Sequence, residues 1–287
     1  MRIERVFVEG HEDRNVQRVL RELGVETTGD EGAPKLGTYY LEVGEVKFEA
    51  KNLEGLKSVF ENLLGTYVVV PAYNEEKTVG KVLDELLEYF PPERIIVVND
   101  GSRDRTEEIA RERGVRVITH LVNRGLGGAL GTGIEYALRK GARAIVTFDA
   151  DGQHKVEDAL RVMKPVIEGR ADLAIGSRLK GDVSQMPLIK RIGNTALDLI
   201  TTIFSGRYVS DSQSGLRCLS RDCASRIRIT CDRYAVSSEI IIEASKKGCR
   251  IVEVPIKAIY TKYSMRKGTN VVEGIKIAFN LLIDKLR

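Results

Sequence analysis

At 287 residues the chain has room for one large domain and a small one, and its 43% hydrophobic and 30% charged residues are those of an ordinary soluble protein. No apolar run approaches the ~20 residues needed to span a bilayer, and the charged opening MRIERVFVEGHED does not read as a signal peptide. The net charge of +4 hides an asymmetry: residues 1–65 carry 9 Lys and Arg against 13 Asp and Glu, whereas residues 180–287 carry 19 against 10, which suits a phosphate-bearing partner.

Residues 1–65 read as a small α/β unit of unassigned role. Ile3, Val6 and Val8 predict a strand, NVQRVLREL a helix ending at Gly24, and TYYLEVGEVKFEA a hairpin. A two-residue loop at Gly44-Glu45, of type II′, pairs Leu41 with Phe48 on one face and Glu42 with Lys47 on the other. A helix from about Leu53 to Leu64 follows.

From Thr66 strands and helices alternate. TYVVVPA, RIIVVND, VRVITH, ARAIVTF and ADLAIGS are short β-branched runs, separated by the helical segments TVGKVLDELLEYF, TEEIARERG and GGALGTGIEYALRKG. This predicts an α/β domain over 66–287, a doubly wound, mainly parallel sheet with helices on both faces. Ligands bind such sheets at the carboxyl ends of the strands. Asn74-Glu75, Asn99-Asp100 and Asp149/Asp151 all fall there and are expected to converge on one crevice.

Two amphipathic stretches come later. PLIKRIGNTALDLITTIFSG (187–206) repeats Leu188, Ile192, Ala196, Leu199 and Ile203 at helical spacing; VVEGIKIAFNLLIDKLR (271–287) does so with Val272, Ile275, Phe279, Leu282 and Leu286. Such helices, flanked by Lys or Arg, lie in a membrane interface or pack on a core. In the C-terminal one, about 270–287, Ile277, Leu281 and Ile283 widen the apolar surface. That implies membrane contact, a homo-oligomer, or packing on the N-terminal unit. Cys218, Cys223, Cys231 and Cys249 make no CxxC pair and have no histidine at zinc-site spacing, so free thiols in a cytoplasmic setting are expected. Tyr260 and Tyr263 beside Lys262 are too few aromatics for a nucleic-acid surface. Abundant Glu, Lys and Arg without Trp hint at a thermophile.

The chemistry centres on ARAIVTFDADGQH (142–154). A buried strand stops at Asp149, Asp151, Gln153 and His154, placing two carboxylates and an amide where a hard divalent cation and a diphosphate would sit. Asp and Gly also make plain solvated turns. NRGLGGALGTG (123–133) lacks the Gly-Lys-Ser/Thr of a P-loop, and close helix–sheet packing explains its glycines equally well.

In order along the chain, VVVPAYNEEKTVGKVL (68–83), VVNDGSRDRTEEIA (97–110), FDADGQH (148–154) and VSDSQSGLR (209–217) resemble the inverting family 2 glycosyltransferases of the glycosyltransferase A-type fold, over roughly residues 66–269. The resemblance implies a nucleotide-sugar site. Pro71, Ala72 and Tyr73 turn over the base, Glu75 lies near the ribose, and Asp100 accepts the N3–H of a uracil; Asn99 stands where many relatives have a second Asp. Asn99-Asp100-Gly101-Ser102 also reads as a strand-to-helix turn with capping. Asp149, Ala150 and Asp151 complete the donor side. Asp149, Asp151 and Gln153 would hold Mg²⁺ or Mn²⁺, and His154 is either a ligand or an orienting hydrogen-bond residue.

For the acceptor two readings stay open. An alcohol needs a general base, for which Asp211 and Glu239 are candidates. A phosphate monoester needs none but needs cations, and here the chain resembles the polyprenyl-phosphate branch typified by dolichyl-phosphate mannose and glucose synthases. The sequence offers Arg178, Lys190, Arg191, Arg217, Arg266 and Lys267 as such cations. The branch implies roles near the donor and acceptor phosphates for Arg178 and Arg191. IYTKYSMRKGTN (259–270) resembles its Tyr…Arg…Gly-x-Ser-Lys segment, with Arg266 toward the acceptor phosphate, but departs from its spacing. The implied activity is transfer of glucose or N-acetylglucosamine from a UDP-sugar to a polyprenyl phosphate, peripherally at the cytoplasmic membrane face. The alternatives are a soluble acceptor, and a nucleotide-sugar-binding module without turnover.

Overall fold

The computed structural model of the protein describes residues 5–9, 38–181, 188–231, 235–257 and 259. Several expectations fall outside them: the helix NVQRVLREL, the C-terminal helix at about 270–287, Arg266 and Lys267, and the side chain of Arg191.

A small antiparallel sheet comes first, in the order β1 (Arg5–Glu9), β2 (Thr38–Val43), β3 (Val46–Ala50). The hairpin has the expected register, Leu41 opposite Phe48 and Glu42 opposite Lys47. Gly44 has φ 55° and Glu45 is not left-handed, as a type II′ loop requires. Helix α1 (Leu53–Leu64) begins at Asn52, whose side chain accepts the Gly55 N–H at 2.8 Å.

The main sheet contains β4 (Thr66–Ala72), β5 (Ile95–Asn99), β6 (Arg116–Thr119), β7 (Ala144–Thr147), β8 (Leu173–Ser177), β9 (Arg217–Ser220) and β10 (Ile251–Pro255). Their order is β10-β8-β9-β7-β4-β5-β6, with β9 antiparallel to both neighbours and every other pair parallel. From β4 the chain winds outward through β5 and β6, then returns to place β7 on the other side of β4. That reversal opens a crevice beyond the carboxyl ends of β4 and β7. The crossovers are α2 (Val79–Leu87), α3 (Thr106–Glu112), α4 (Gly125–Arg139), α5 (Val156–Ile167) and α6 (Leu188–Ser205); α7 (Arg221–Arg226) and α8 (Val236–Lys246) follow β9.

The central strands β4, β5, β7 and β8 are buried on both faces, as their apolar runs demand. Val68 and Val70 point into one core; Val69, Ile96 and Val98 point into the other, under α4. Gly133 allows that approach, because a Cβ there would overlap Val69. The first core also contains Leu41, Val43, Phe48, Leu56 and Leu63, so residues 38–64 share it with the main sheet. The open edge of β3 is satisfied from α5: Lys164 donates to the Lys47 carbonyl, and Glu168 accepts the Glu49 N–H at 2.7 Å.

Helix α6 is turned unusually. Asp198 and Thr201 face inward, while Leu199 and Ile203 of the predicted apolar stripe are 62% and 67% exposed. Among the described residues no helix is long and apolar enough to cross a membrane.

Because Phe48 is fully buried in the shared core, Phe48→Ala should cost about 3–5 kcal/mol. Urea unfolding should remain one cooperative transition. A separate early transition for the hairpin would contradict the shared core.

Candidate active site

On the β4 side of the crevice, two loops clasp each other. The Asn74 N–H donates to Ser102 Oγ (2.9 Å), the Glu75 N–H to Thr106 Oγ1 (2.8 Å) and the Glu76 N–H to Asp104 Oδ2 (3.1 Å). In return the Arg103 N–H donates to Asn74 Oδ1 (2.9 Å) and the Arg105 N–H to Glu76 Oε2 (3.2 Å). Asn74 has φ 54°, the one positive value outside glycine among the described residues, and Asn tolerates this conformation better than most. Pro71 and Glu75 are half-buried, Ala72 is buried, and Tyr73 is 44% exposed, its ring open to a stacking partner.

Asp100 lies beneath them, almost fully buried. Its Oδ1 accepts from His120 Nδ1 (2.7 Å) and the Arg124 N–H (2.9 Å), and its Oδ2 from the Gly125 N–H (2.7 Å). Asn99 makes the expected turn, accepting the Ser102 N–H at 3.1 Å and donating to Glu107 at 3.0 Å.

At the end of β7 the acidic residues gather. Asp149 meets His154 Nε2 at 3.3 Å. Burial acts to raise its carboxyl, but the His154 hydrogen bond and the charges of Arg217 and Arg178 outweigh burial and hold it below its ordinary value. Asp151 goes the other way: burial and the Asp149 charge, with Glu75 adding, push it up to about 6. The Gln153 N–H (3.0 Å) and Nε2 (2.5 Å) donate to Asp151, leaving the amide oxygen pointing elsewhere. Ala150 is buried between the two acids. Among the described residues no three His, Cys, Asp or Glu side chains form a ready metal cage. The neighbouring carboxylates of Asp149 and Asp151, the second disfavoured in its ionised form by the first, nevertheless fit a hard cation that takes one or two carboxylates and completes its shell with phosphate and water.

The loop 209–217 carries the other half of the site. Asp211 is fully buried and accepts the Arg178 N–H (2.8 Å), Nε (2.8 Å) and Nη2 (2.7 Å). Glu253 on β10 holds the same loop, taking the Ser210 N–H (2.8 Å) and hydroxyl (2.7 Å) and the Asp211 N–H (3.2 Å), while its other oxygen pairs with Lys180 at 2.8 Å. Gly215 lies against Asp149 so closely that a Cβ would overlap the carboxylate. Arg217, on β9, is fully buried beneath both acids, and Nη2 reaches the Ser212 carbonyl at 3.0 Å. Burial brings its guanidinium down to about 10, still charged at neutral pH.

Glu239, on α8, is engaged by the chain just before that helix: the Thr230 N–H and hydroxyl and the Cys231 N–H (3.0 Å) all donate to it. Arg191 lies on α6. The structure therefore brings Tyr73, Glu75, Asp100, Asp149, Asp151, Gln153, Arg178 and Asp211 to one end of the sheet, with Arg217 below them. His120, Lys180, Asp198 and Glu253 were missed by the sequence reading. His120 directly follows β6, so the strand-end rule could have found it, and Glu253 is a charge inside a strand. Asp198 had no such signal.

A model of the family described as "Glycosyl transferase family 2" matches residues 67–223. An uncharacterized protein of Methanocaldococcus jannaschii is 53% identical, covering 77% of this chain and 92% of that protein. The UDP-N-acetylglucosamine–dolichyl-phosphate N-acetylglucosaminyltransferase of Methanococcus voltae is 41% identical, covering 77% and 96%. Among solved structures, glucosyl-3-phosphoglycerate synthase of Mycobacterium tuberculosis with UDP superposes with a TM-score of 0.57 at 21% identity, over 77% of this chain and 83% of that one. The fold is therefore that of the glycosyltransferase A type.

Gly215→Ala should lower turnover by about a hundredfold through a displaced Asp149, with the melting temperature little changed. Intact turnover would show that the contact is dispensable. Asp198 is buried with one oxygen lacking a partner; burial, with Asp211 adding, raises it to about 7 although Ser212 pulls the other way. The folded state then holds a proton that the unfolded chain releases above pH ~4, so stability falls as pH rises from ~4 to ~7. Asp198→Asn should gain on the order of 2 kcal/mol at pH 8 and almost nothing at pH 4, read by urea unfolding at both values.

Proposed function

The chain belongs to glycosyl transferase family 2, and on that premise we propose that it moves a hexose, glucose or N-acetylglucosamine, from a UDP-sugar to a polyprenyl phosphate such as dolichyl phosphate, with inversion. One observation carries the choice of acceptor. Both carboxylates that could serve as a base for an alcohol are already engaged, Asp211 by three donors of Arg178 and Glu239 by Thr230 and Cys231. An acceptor that arrives ionised needs no base, and a phosphate monoester is mostly dianionic at pH 7.

Three further features support the lipid reading. The 41% identical relative is named for a dolichyl-phosphate acceptor. Leu199 and Ile203 offer an exposed apolar face on α6 for a membrane surface or an isoprenoid chain. The Ile259 N–H bonds the Gln153 carbonyl at 2.9 Å, and in the sequence Arg266 and Lys267 follow Ile259 by seven and eight residues.

The donor base would stack on Tyr73 above Asp100, with Glu75 toward the ribose and the diphosphate reaching toward Asp149 and Asp151. Bound there by Asp149, Asp151 and Gln153, Mg²⁺ or Mn²⁺ would neutralise the charge gathering on the departing diphosphate. Arg178, fixed by Asp211, would orient the acceptor phosphate together with Arg191. The acceptor oxygen would then attack the anomeric carbon from the face opposite the diphosphate.

Release of nucleoside diphosphate from a UDP-sugar with Mn²⁺ should require dolichyl phosphate in detergent or vesicles. Asp151→Ala should abolish it without unfolding the protein. Equal release with a soluble acceptor or with water would overturn the lipid reading.

A further inference from the structure

His120 lies outside every motif that carries the family resemblance, yet it touches the carboxylate placed under the donor base. An ionised carboxylate has about four acceptor positions. Asp100 has three filled: His120 Nδ1 and the Arg124 N–H occupy Oδ1, and the Gly125 N–H occupies one position on Oδ2. Its side chain is only 5% exposed, so solvent reaches a sliver of the carboxylate. A carboxylate only accepts, so Nδ1 of His120 carries the proton. Nε2 meets Thr132 Oγ1 at 3.0 Å, which fixes the ring plane from α4. The imidazole is itself 8% exposed and held on both nitrogens.

We propose that His120 is a positioning residue that sets the base preference of the donor site, by leaving Asp100 a single acceptor position, on Oδ2. This rests on the reading of the crevice as a nucleotide-sugar site. One position suits a base whose pairing edge offers one N–H between two carbonyls, as uracil does. Guanine presents two adjacent donors, N1–H and N2–H, and would need both carboxylate oxygens on one side. The consecutive amides of Arg124 and Gly125 together with His120 leave no such pair. Cytosine has no N3–H and would set a lone pair against Oδ2. A site built to receive a donor rejects an analogue that lacks it, because the buried acceptor is left unpaired.

The experiment is calorimetric titration of the full chain, with Mn²⁺, against UDP, CDP, GDP and N3-methyl-UDP. Wild type should bind UDP tighter than each of the others by about tenfold or more. His120→Ala should lower UDP affinity by about tenfold while leaving CDP affinity unchanged, so that the UDP-to-CDP ratio collapses. His120→Gln, which keeps an N–H donor, should restore most of the ratio. A merely structural histidine would weaken UDP and CDP alike, and that outcome, or no change at all, overturns the assignment. If His120→Ala does not fold, His120→Gln and the N3-methyl probe on wild type still decide. Equal binding of GDP and UDP by wild type would overturn the single-acceptor inference. No binding of any nucleotide would instead sink the donor-site reading itself.

Discussion

Arg217 carries a positive charge with no access to solvent, and the site is arranged around it. Its guanidinium lies below Asp149 and Asp211, and both acids act to keep it charged. Taking such an ion out of water costs several kcal/mol unless charge and hydrogen bonds compensate it. Here Nη2 donates to the Ser212 carbonyl at 3.0 Å and the negative charges of Asp149 and Asp211 favour the ion, while Nε is buried without a hydrogen-bond partner among the described residues. The end of β7 and the loop leading into β9 meet where Gly215 packs on Asp149.

The carboxylates then divide by what surrounds them. Asp211 and Glu253 are satisfied by donors and serve as anchors, presenting Arg178 and Lys180 from β8. Asp100 is satisfied on three of its positions and can add only one more contact. Asp151 is different: burial and the neighbouring charge of Asp149 outweigh the donors of Gln153 and disfavour its ionised form, which is the condition that a cation relieves. Identical side chains therefore perform different work because their neighbours differ.

The core of the fold was legible because its strands are unambiguous. Four β-branched runs buried on both faces admit few other readings, and the Gly44-Glu45 loop fixed the hairpin register. The short strand β9 escaped notice: Arg217–Ser220 is four residues long, begins with a charge, and inserts antiparallel between β7 and β8. Helix α6 left two readings open, a membrane interface or a core contact, for a related reason. Periodicity identifies an apolar stripe but not what faces it, and the structure turns Asp198 and Thr201 inward while Leu199 and Ile203 face out. The small unit read at 1–65 shows the same limit, since sequence spacing marked a change of rhythm at Thr66 without revealing that Phe48 and Leu56 enter the main core.

The sequence by itself determined which chemistry-bearing residues stand at strand ends: Asn74, Glu75, Asp100, Asp149 and Asp151 are placed there by the local alternation of apolar runs and turns. Tertiary structure alone decided which of them are free to act. Whether Asp211 is a base or an anchor depends on Arg178, 33 residues away in the chain, and the capacity of Asp100 depends on His120 and the first amides of α4. Hydrogen bonding and desolvation act between residues brought together by the sheet, and no local pattern records them.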